Sequence, residues 1–344
     1  MSWSNFTVTR LRNALIRPLL LVVTCSAALM SATTMAEEKP SFEQYLQQVK
    51  QQAVAQGIAA HTVDQAFANV EFKKRSVKLD RNQPEKRQTL DTYLPKRVPQ
   101  WKIDKARKLY KENYQLLSKI GDEFGVQPRF IVALWGNETN FGTYTGNFDI
   151  ISALATLAYD GRREAFFRKE LIAALSILDE GHIDLPKFQG SWAGAMGQTQ
   201  FMPSSFLAYA VDYDGDGRKD IWGTQEDVFA SIANYLKQAG WNNDLTWGRQ
   251  VKLPEGFDVS LTGLKTKKSL AEWQALGVRR YDMSNLPTRD IQASIVLPDD
   301  AQGRAYLAYG NYDVLMDWNR SYYFVTSVGY LSDRIAYPSV FKAQ

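Results

Sequence analysis

Residues 125–142 read GVQPRFIVALWGNETNFG. Pro128 suits the first turn of a helix, where its missing N–H costs nothing. Ile131, Leu134, Trp135 and Glu138 then fall at i, i+3, i+4 and i+7, so the four share one face. Gly142 is a natural terminator. The stretch therefore predicts a short helix that turns an apolar stripe inward and carries a carboxyl on that stripe. Ionisation is doubly disfavoured there, because apolar neighbours desolvate the charge and the negative end of the helix dipole repels it. Both effects keep a proton on Glu138 near neutral pH, as a general acid requires. A Glu at a partly exposed helix end is the plainer reading of the same spacing.

Upstream, residues 41–125 read as helical. Ser41 caps a first helix whose Phe42, Tyr45, Leu46 and Val49 recur on one face. Ile103 to Phe124 repeats the pattern with Leu109, Tyr110, Leu116, Leu117, Ile120 and Phe124. The basic stretch Lys73 to Arg97 between them predicts loop and short helix. Residues 126–245 alternate helix signals with Gly-rich turns. Residues 248–300 change character: VKLP, FDVSL and ASIVLP are short apolar pieces separated by Pro, Gly and Lys, which predicts a small β subdomain. The aromatic-rich end, Tyr306 to Phe341, closes with a helical pattern from Tyr322 to Arg334. No internal repeat or low-complexity linker interrupts the chain. The fold class is α+β, mainly α.

The 344 residues carry 41 Lys and Arg against 37 Asp and Glu, a net charge of +4. Three of those charges, Arg10, Arg12 and Arg17, lie in an N-terminal stretch with no acid; without them the net is +1. No Lys/Arg stripe points to nucleic acid. The stretch itself reads as a signal peptide. The three arginines precede an apolar run, PLLLVVTCSAALM, and Thr34-Met35-Ala36 ends in small residues, so cleavage is expected after Ala36 and the protein is expected in the periplasm. No later apolar run approaches the ~20 residues of a transmembrane span. The only cysteine, Cys25, falls inside the leader, so the mature chain has no disulfide. A lipoprotein anchor at Cys25 is disfavoured by Thr24, where a lipobox wants Gly, Ala or Ser. Two histidines are too few for a zinc site or Ser/His chemistry, and no Walker or Rossmann fingerprint is present.

Two further stretches carry chemistry. GSWAGAMGQTQFMPSS, residues 190–205, packs Ala193, Gly194, Ala195 and Gly197 closely enough for backbone to approach a ligand. Ser191, Gln198 and Gln200 offer hydroxyl and amide groups that match sugar hydroxyls and acetamides. Met196 and Phe201 are candidate platforms for sugar rings. A tight turn before a helix starting at Pro203 is the alternative. Asp212-Tyr-Asp214-Gly-Asp216-Gly217-Arg218-Lys-Asp220 follows the start of an EF-hand loop, with oxygens at positions 1, 3, 5 and 9, Gly at 6 and the Arg218 carbonyl at 7. Four Asp in nine residues repel one another unless a cation lies among them. Position 12, however, is Gly223 instead of the bidentate Glu. A metal-free Asp/Gly turn is the plainer reading.

GNETNFG, ALATLAYDGRREAFFRKEL, GSWAGAMGQTQFMPSSFLAYAVDYDGDGRKDIW and ASIANYLKQAGW together resemble the membrane-bound lytic murein transglycosylase B family, over roughly residues 41 to 341. The resemblance implies peptidoglycan glycan strands as substrate and Glu138 as the single catalytic acid/base. It implies Ser191, Gln200, Arg162, Arg163 and Asn319 as substrate contacts; Gln198, Met196, Phe201 and Trp318 are further candidates beside them, Tyr235 faces either the cleft or the core, and Tyr93 is a candidate for an outer subsite. Gln198 stands where one member of the family has tyrosine, and Trp318 replaces the family's usual tyrosine, which puts any hydroxyl contact at 318 in doubt. As bare sequence, Arg162 and Arg163 suit surface salt bridges equally well. The resemblance implies structural Ca²⁺ in a slightly longer loop, 212–227, closed by Asp227 with Glu226 as the alternative; no organic cofactor is expected. The expected organisation is a leader over 1–36, an N-terminal helical region over 37–110, a lysozyme-like core over 111–247, a β subdomain over 248–305 and a returning segment over 306–344. Which cell-wall synthesis or divisome proteins it meets is left open.

A hydrolytic glycosidase needs a second carboxylate. The nearby Asp149 and Asp160 both read as turn residues. The missing partner fits the family's implied chemistry, cleavage of the MurNAc–GlcNAc bond by intramolecular attack of the MurNAc 6-hydroxyl, giving a 1,6-anhydro end. A lysozyme-like hydrolase and a non-catalytic peptidoglycan-binding protein are the competing readings.

Overall fold

The chain enters its first helix at Ser41, whose hydroxyl accepts from the Gln44 N–H while the Gln44 side chain accepts from the Ser41 N–H. The computed structural model describes residues 39–82 and 88–341. The expected leader, its cleavage site and Cys25 lie outside them. Five helices follow before the Glu138 segment: α1 Phe42–Ala55 leads to α2 Ala60–Phe67, α3 Lys74–Arg81, α4 Leu90–Arg97, α5 Gln100–Glu112 and α6 Tyr114–Phe124. The pattern from Ile103 to Phe124 is thus two helices, not one, broken at Asn113.

The next helix, α7, runs Pro128–Thr139 with Pro128 at its start. It differs from the expected single stripe. Phe130 to Asn137 and Thr139 are all buried, and Glu138 is the half-open position of its last turn. The reason is enclosure: α5, α6, α11 (Gln225–Gln238) and α14 (Tyr322–Ala336) all pack around it. A helix apolar on every side belongs inside a core. Gly142 is not the terminator. Asn140 ends the helix in the left-handed conformation, a role its short amide side chain tolerates.

Helices α8 (Ile150–Asp160), α9 (Glu164–Asp179) and α10 (Pro203–Tyr209) follow, with β1 (Phe148–Asp149) and β2 (Gln189–Gly190) forming a two-residue antiparallel clasp beside them. Two large apolar cores result. One gathers α4 to α7 with α11 and α14, the other α1 and α2 with α8 to α10. Tyr235 and Trp318 pack against both cores and so lie at their junction.

A five-stranded antiparallel sheet builds a third, smaller core around Trp273. Its strands are β3 Gly248–Lys252, β4 Lys268–Ser269, β5 Arg279–Arg280, β6 Gln292–Val296 and β7 Ala305–Ala308, in the order β4-β6-β7-β3-β5. Helix α12 (Leu270–Ala275) follows β4 and buries Leu270 and Trp273 in this core, and α13 (Gly310–Trp318) returns the chain to the helical body. The return is tight: a Cβ on Gly329 of α14 would lie 2.1 Å from the Trp247 ring. The fold is mainly helical with a small sheet, as the sequence predicts. Among the described residues, no helix is long and apolar enough to cross a membrane.

Candidate active site

Trp318, the last residue of α13, donates its indole Nε1–H to Glu138 Oε1 at 2.7 Å. Glu138 keeps a partly open surface while protein crowds its carboxyl, the situation of a residue in a cleft wall. Burial pushes its pKa up to about 7; the Trp318 hydrogen bond and the nearby Arg97 charge pull it down without cancelling the rise. Arg97 itself donates to the Asn137 carbonyl, one residue before Glu138. A carboxyl raised toward neutrality in this way suits a group that both gives and takes a proton.

The turn that follows is strained and bolted. Asn140, Phe141 and Gly142 are left-handed in succession, with φ of 52°, 59° and 75°. Non-glycine residues adopt this conformation only where the surroundings enforce it. Here the Thr139 hydroxyl donates to the Gln198 carbonyl at 3.0 Å and accepts from the Gly142 N–H at 3.0 Å. Trp135 Nε1–H donates to Gln198 Oε1 at 2.8 Å, and Gln198 Nε2–H donates to the Trp222 carbonyl at 2.9 Å. A Cβ on Gly142 would lie 2.3 Å from Gln198 Oε1. The glycine is required for this close approach, which locks the 197–200 turn onto the end of α7.

Aromatic rings hold the opposite side. The Trp318 ring packs edge-on against Tyr235 at 4.7 Å between centroids and tilts over Phe201 at 5.3 Å. Tyr235 packs on Tyr209 at 4.5 Å. Asn319 follows Trp318 directly, half-buried, and its side-chain amide has no protein partner among the described residues.

The acidic loop gathers three of its predicted oxygens. Asp212, Asp214 and Asp227 offer carboxylate oxygens that all lie within 4.8 Å of one another. Asp227, in the first turn of α11, is completely buried and accepts from the Tyr213 and Asp220 N–H groups at 2.7 Å each. Burial raises its pKa. Asp216 and Glu226 are not in the group, and the Asp216 carboxylate accepts from the Arg218 N–H instead. Asp220 turns inward on its own segment, accepting from Trp222 and Gly223. A buried carboxylate facing two others fits a hard divalent cation with oxygen ligands.

The transglycosylase SLT domain model matches residues 41–333. The chain belongs to the transglycosylase SLT domain family. SltB3 of Pseudomonas aeruginosa, solved with NAG-NAM-pentapeptide, is 42% identical with a TM-score of 0.83, over 86% of this chain and 79% of that one. Escherichia coli Slt35, solved with calcium, is 28% identical with a TM-score of 0.74, over 85% of this chain and 92% of that one. Membrane-bound lytic murein transglycosylase B of E. coli K12 is 34% identical over 229 residues, which span 64% of this chain and 60% of the relative's length. The family resemblance drawn from the sequence is thus borne out, and the lysozyme-like fold with it.

In this SLT-domain chain several predicted contacts take other duties. Met196 is fully buried and Phe201 is 3% exposed, so neither offers a free face to a sugar ring; they pack in the α8–α10 core. Gln198 already holds a protein partner at each end of its amide. Ser191 accepts from the Ala193 and Ala195 N–H groups and shapes its own turn. Gln200, itself left-handed at φ 52°, donates to Thr145 and Gly197 carbonyls and keeps its Oε1 without a protein donor among the described residues. Arg162 and Arg163 both grip the buried Asp80 of α3, at 2.5 Å each, which ties α3 to the α8–α9 corner. Tyr93 is half-buried and packs edge-on against Tyr323. The two candidate second carboxylates are occupied elsewhere: Asp149 caps α8 and Asp160 pairs with Arg81. Sequence reasoning missed Arg97 and Asp80, which lie 41 and 58 positions from Glu138 with no local motif to mark them.

Proposed function

We propose that this protein is a periplasmic lytic transglycosylase that cleaves the MurNAc-β-1,4-GlcNAc bond of peptidoglycan. The observation that carries the reading is Glu138: a lone carboxyl, poised near pKa 7 by burial and held by Trp318, with both nearby aspartates engaged elsewhere. The SltB3 complex with NAG-NAM-pentapeptide supports the substrate class.

Protonated Glu138 gives its proton to the glycosidic oxygen as the C1–O bond breaks and the bonding pair leaves with that oxygen. The MurNAc acetamide supports the positive charge at C1. The resulting Glu138 carboxylate takes the 6-hydroxyl proton while O6 bonds to C1. Glu138 ends protonated, no water is consumed, and a 1,6-anhydro end forms. Intramolecular attack gains from proximity, so no second carboxylate is needed to position water. Gln200 Oε1 and the Asn319 amide are the polar groups offered to the sugars, with Ser191, Tyr235, Arg162, Arg163 and Tyr93 as outer candidates. Asp212, Asp214 and Asp227 would hold a structural Ca²⁺, with the Arg218 carbonyl as a further ligand. The ion would neutralise their mutual repulsion and fasten the loop to α11.

Mass spectrometry of the products released from purified sacculi tests this. Anhydro-muropeptides, lighter by one water than hydrolysis products, are expected. Reducing-end products would make the enzyme a hydrolase, and the absence of soluble products would make it a binding protein.

A further inference from the structure

A half-open hollow of the sheet subdomain shares no residue with the Glu138 cleft. It measures about 510 Å³, and Leu286, Ile291 and Leu307 supply an apolar lining. Tyr309 also lines it. That side chain is 6% exposed, and its hydroxyl finds no protein hydrogen-bond partner among the described residues. The hydroxyl opens on the cavity and is a free donor for a group bound there.

Charged groups of both signs surround it, and several lack ion pairs. Arg249, Arg280 and Arg289 line the same cavity, and all three guanidinium charges act on the Tyr309 phenol. Arg249 is held by the Gly248 carbonyl at 2.8 Å and lies 3.5 Å from Asp333. Arg280 and Arg289 form no ion pair among the described residues. Two acids share the lining. Asp282 accepts from Ser284 and feels the charge of Arg280; Asp244 stands without a cation in salt-bridge contact. With Arg249 paired to Asp333, two cations and two acids remain over an apolar lining and a free phenol, which suits a short zwitterionic peptide with small apolar side chains, a carboxylate end and an amine elsewhere. Guanidinium groups match carboxylates bidentately.

We propose that this cavity is a second, non-catalytic site that binds the carboxylate end of a peptidoglycan stem peptide. Arg280 and Arg289 receive the carboxylate, the Tyr309 hydroxyl donates to it, and Leu286 and Leu307 cover the alanine methyls. The assignment rests on the proposed peptidoglycan substrate. Its effect is to tether the enzyme to the peptide layer while the cleft works on the glycan.

Calorimetric titration of the full chain with the free tetrapeptide L-Ala-γ-D-Glu-diaminopimelate-D-Ala tests it, since this probe has no glycosidic bond to cleave. Binding that weakens at least about tenfold in the Arg280→Gln/Arg289→Gln double variant, and severalfold in Tyr309→Phe, supports the site. The C-terminal amide of the probe should bind as weakly as the double variant binds the acid. Both variants should cleave peptide-free glycan at the unaltered rate, which also shows that they fold. Undiminished binding in the double variant, or no binding to the unaltered chain, overturns the proposal. Equal affinity for an all-L tripeptide ending in Ala-Ala would make the site one for protein C-termini and overturn the stem-peptide assignment. Loss of anhydro products from sacculi with peptide binding intact would defeat the proposed activity and leave this site standing.

Discussion

Replacing Trp318 with Phe removes one interaction from Glu138 and little else. The Phe ring keeps aromatic packing against Tyr235 and Phe201, while the 2.7 Å indole hydrogen bond is lost. That bond favours the ionised carboxylate and pulls its pKa down against the rise caused by burial. A hydrogen bond to a charged group contributes roughly 1.5–3 kcal/mol, against about 1 kcal/mol for a neutral one. The preference for the ionised form is then roughly 1–1.5 kcal/mol, or about one pKa unit. The carboxyl acts first as an acid, so kcat/KM for muropeptide release falls as pH rises through about 7 in the unaltered enzyme. In Trp318→Phe the alkaline limb should move up by about one unit. The assay is release of soluble fragments from sacculi across a pH series, with ¹³C NMR titration of Glu-labelled protein as a direct readout and Glu138→Gln to identify the resonance. A limb that stays in place, or moves down, would refute the claim that Trp318 tunes the acid.

Glu138→Gln should lower fragment release by about a hundredfold or more while glycan binding persists. It should also change the pH dependence of stability. The folded pKa near 7 lies above the ordinary glutamate value of 4.5, so stability is full below about 4.5 and is lost as pH rises through 7. The loss is at most ~3 kcal/mol, and the non-titrating Gln escapes it, so the variant's relative Tm should climb across that window and then level off. Excess Ca²⁺ over EDTA should raise Tm by roughly 5 °C at a hundred times Kd, and Asp227→Asn should abolish the rise; identical melting curves would remove the metal from the loop. Gly142→Ala should cut activity at least about tenfold, because its Cβ collides with Gln198 Oε1 and φ is 75°; unchanged turnover would show that the bolted turn does not position Glu138.

The sequence by itself determined what local rules govern. Ser41, Pro128 and Pro203 start helices in the structure, and two of the short apolar pieces after residue 248, VKLP and ASIVLP, contribute to strands β3 and β6. The helix starts follow from capping and fixed proline φ and the two strands from alternation of apolar residues, all of which act within a few positions, whereas FDVSL, also expected as a strand, folds as a 3₁₀ turn over Val259–Leu261 capped by Asp258. Glu138 on an inward face and the family resemblance were equally legible. The spacing of the Asp loop placed Asp212 and Asp214 together, and the resemblance added Asp227.

The tertiary structure decided which side chains are free. Met196, Phe201 and Gln198 look like sugar contacts in a motif, but packing buries the first two and hydrogen bonds engage both ends of the third. Arg162 and Arg163 find Asp80 across 82 and 83 positions, and Trp318 reaches Glu138 across 180. The sheet cavity joins Arg249, Arg280, Arg289 and Tyr309 from separate strands and loops. Such partnerships depend on burial and distance between remote segments, and no periodicity of two or 3.6 residues encodes them. The residue types set the chemistry available; only their packing assigned a pKa near 7 to one carboxyl and left a phenol and two guanidinium groups without partners.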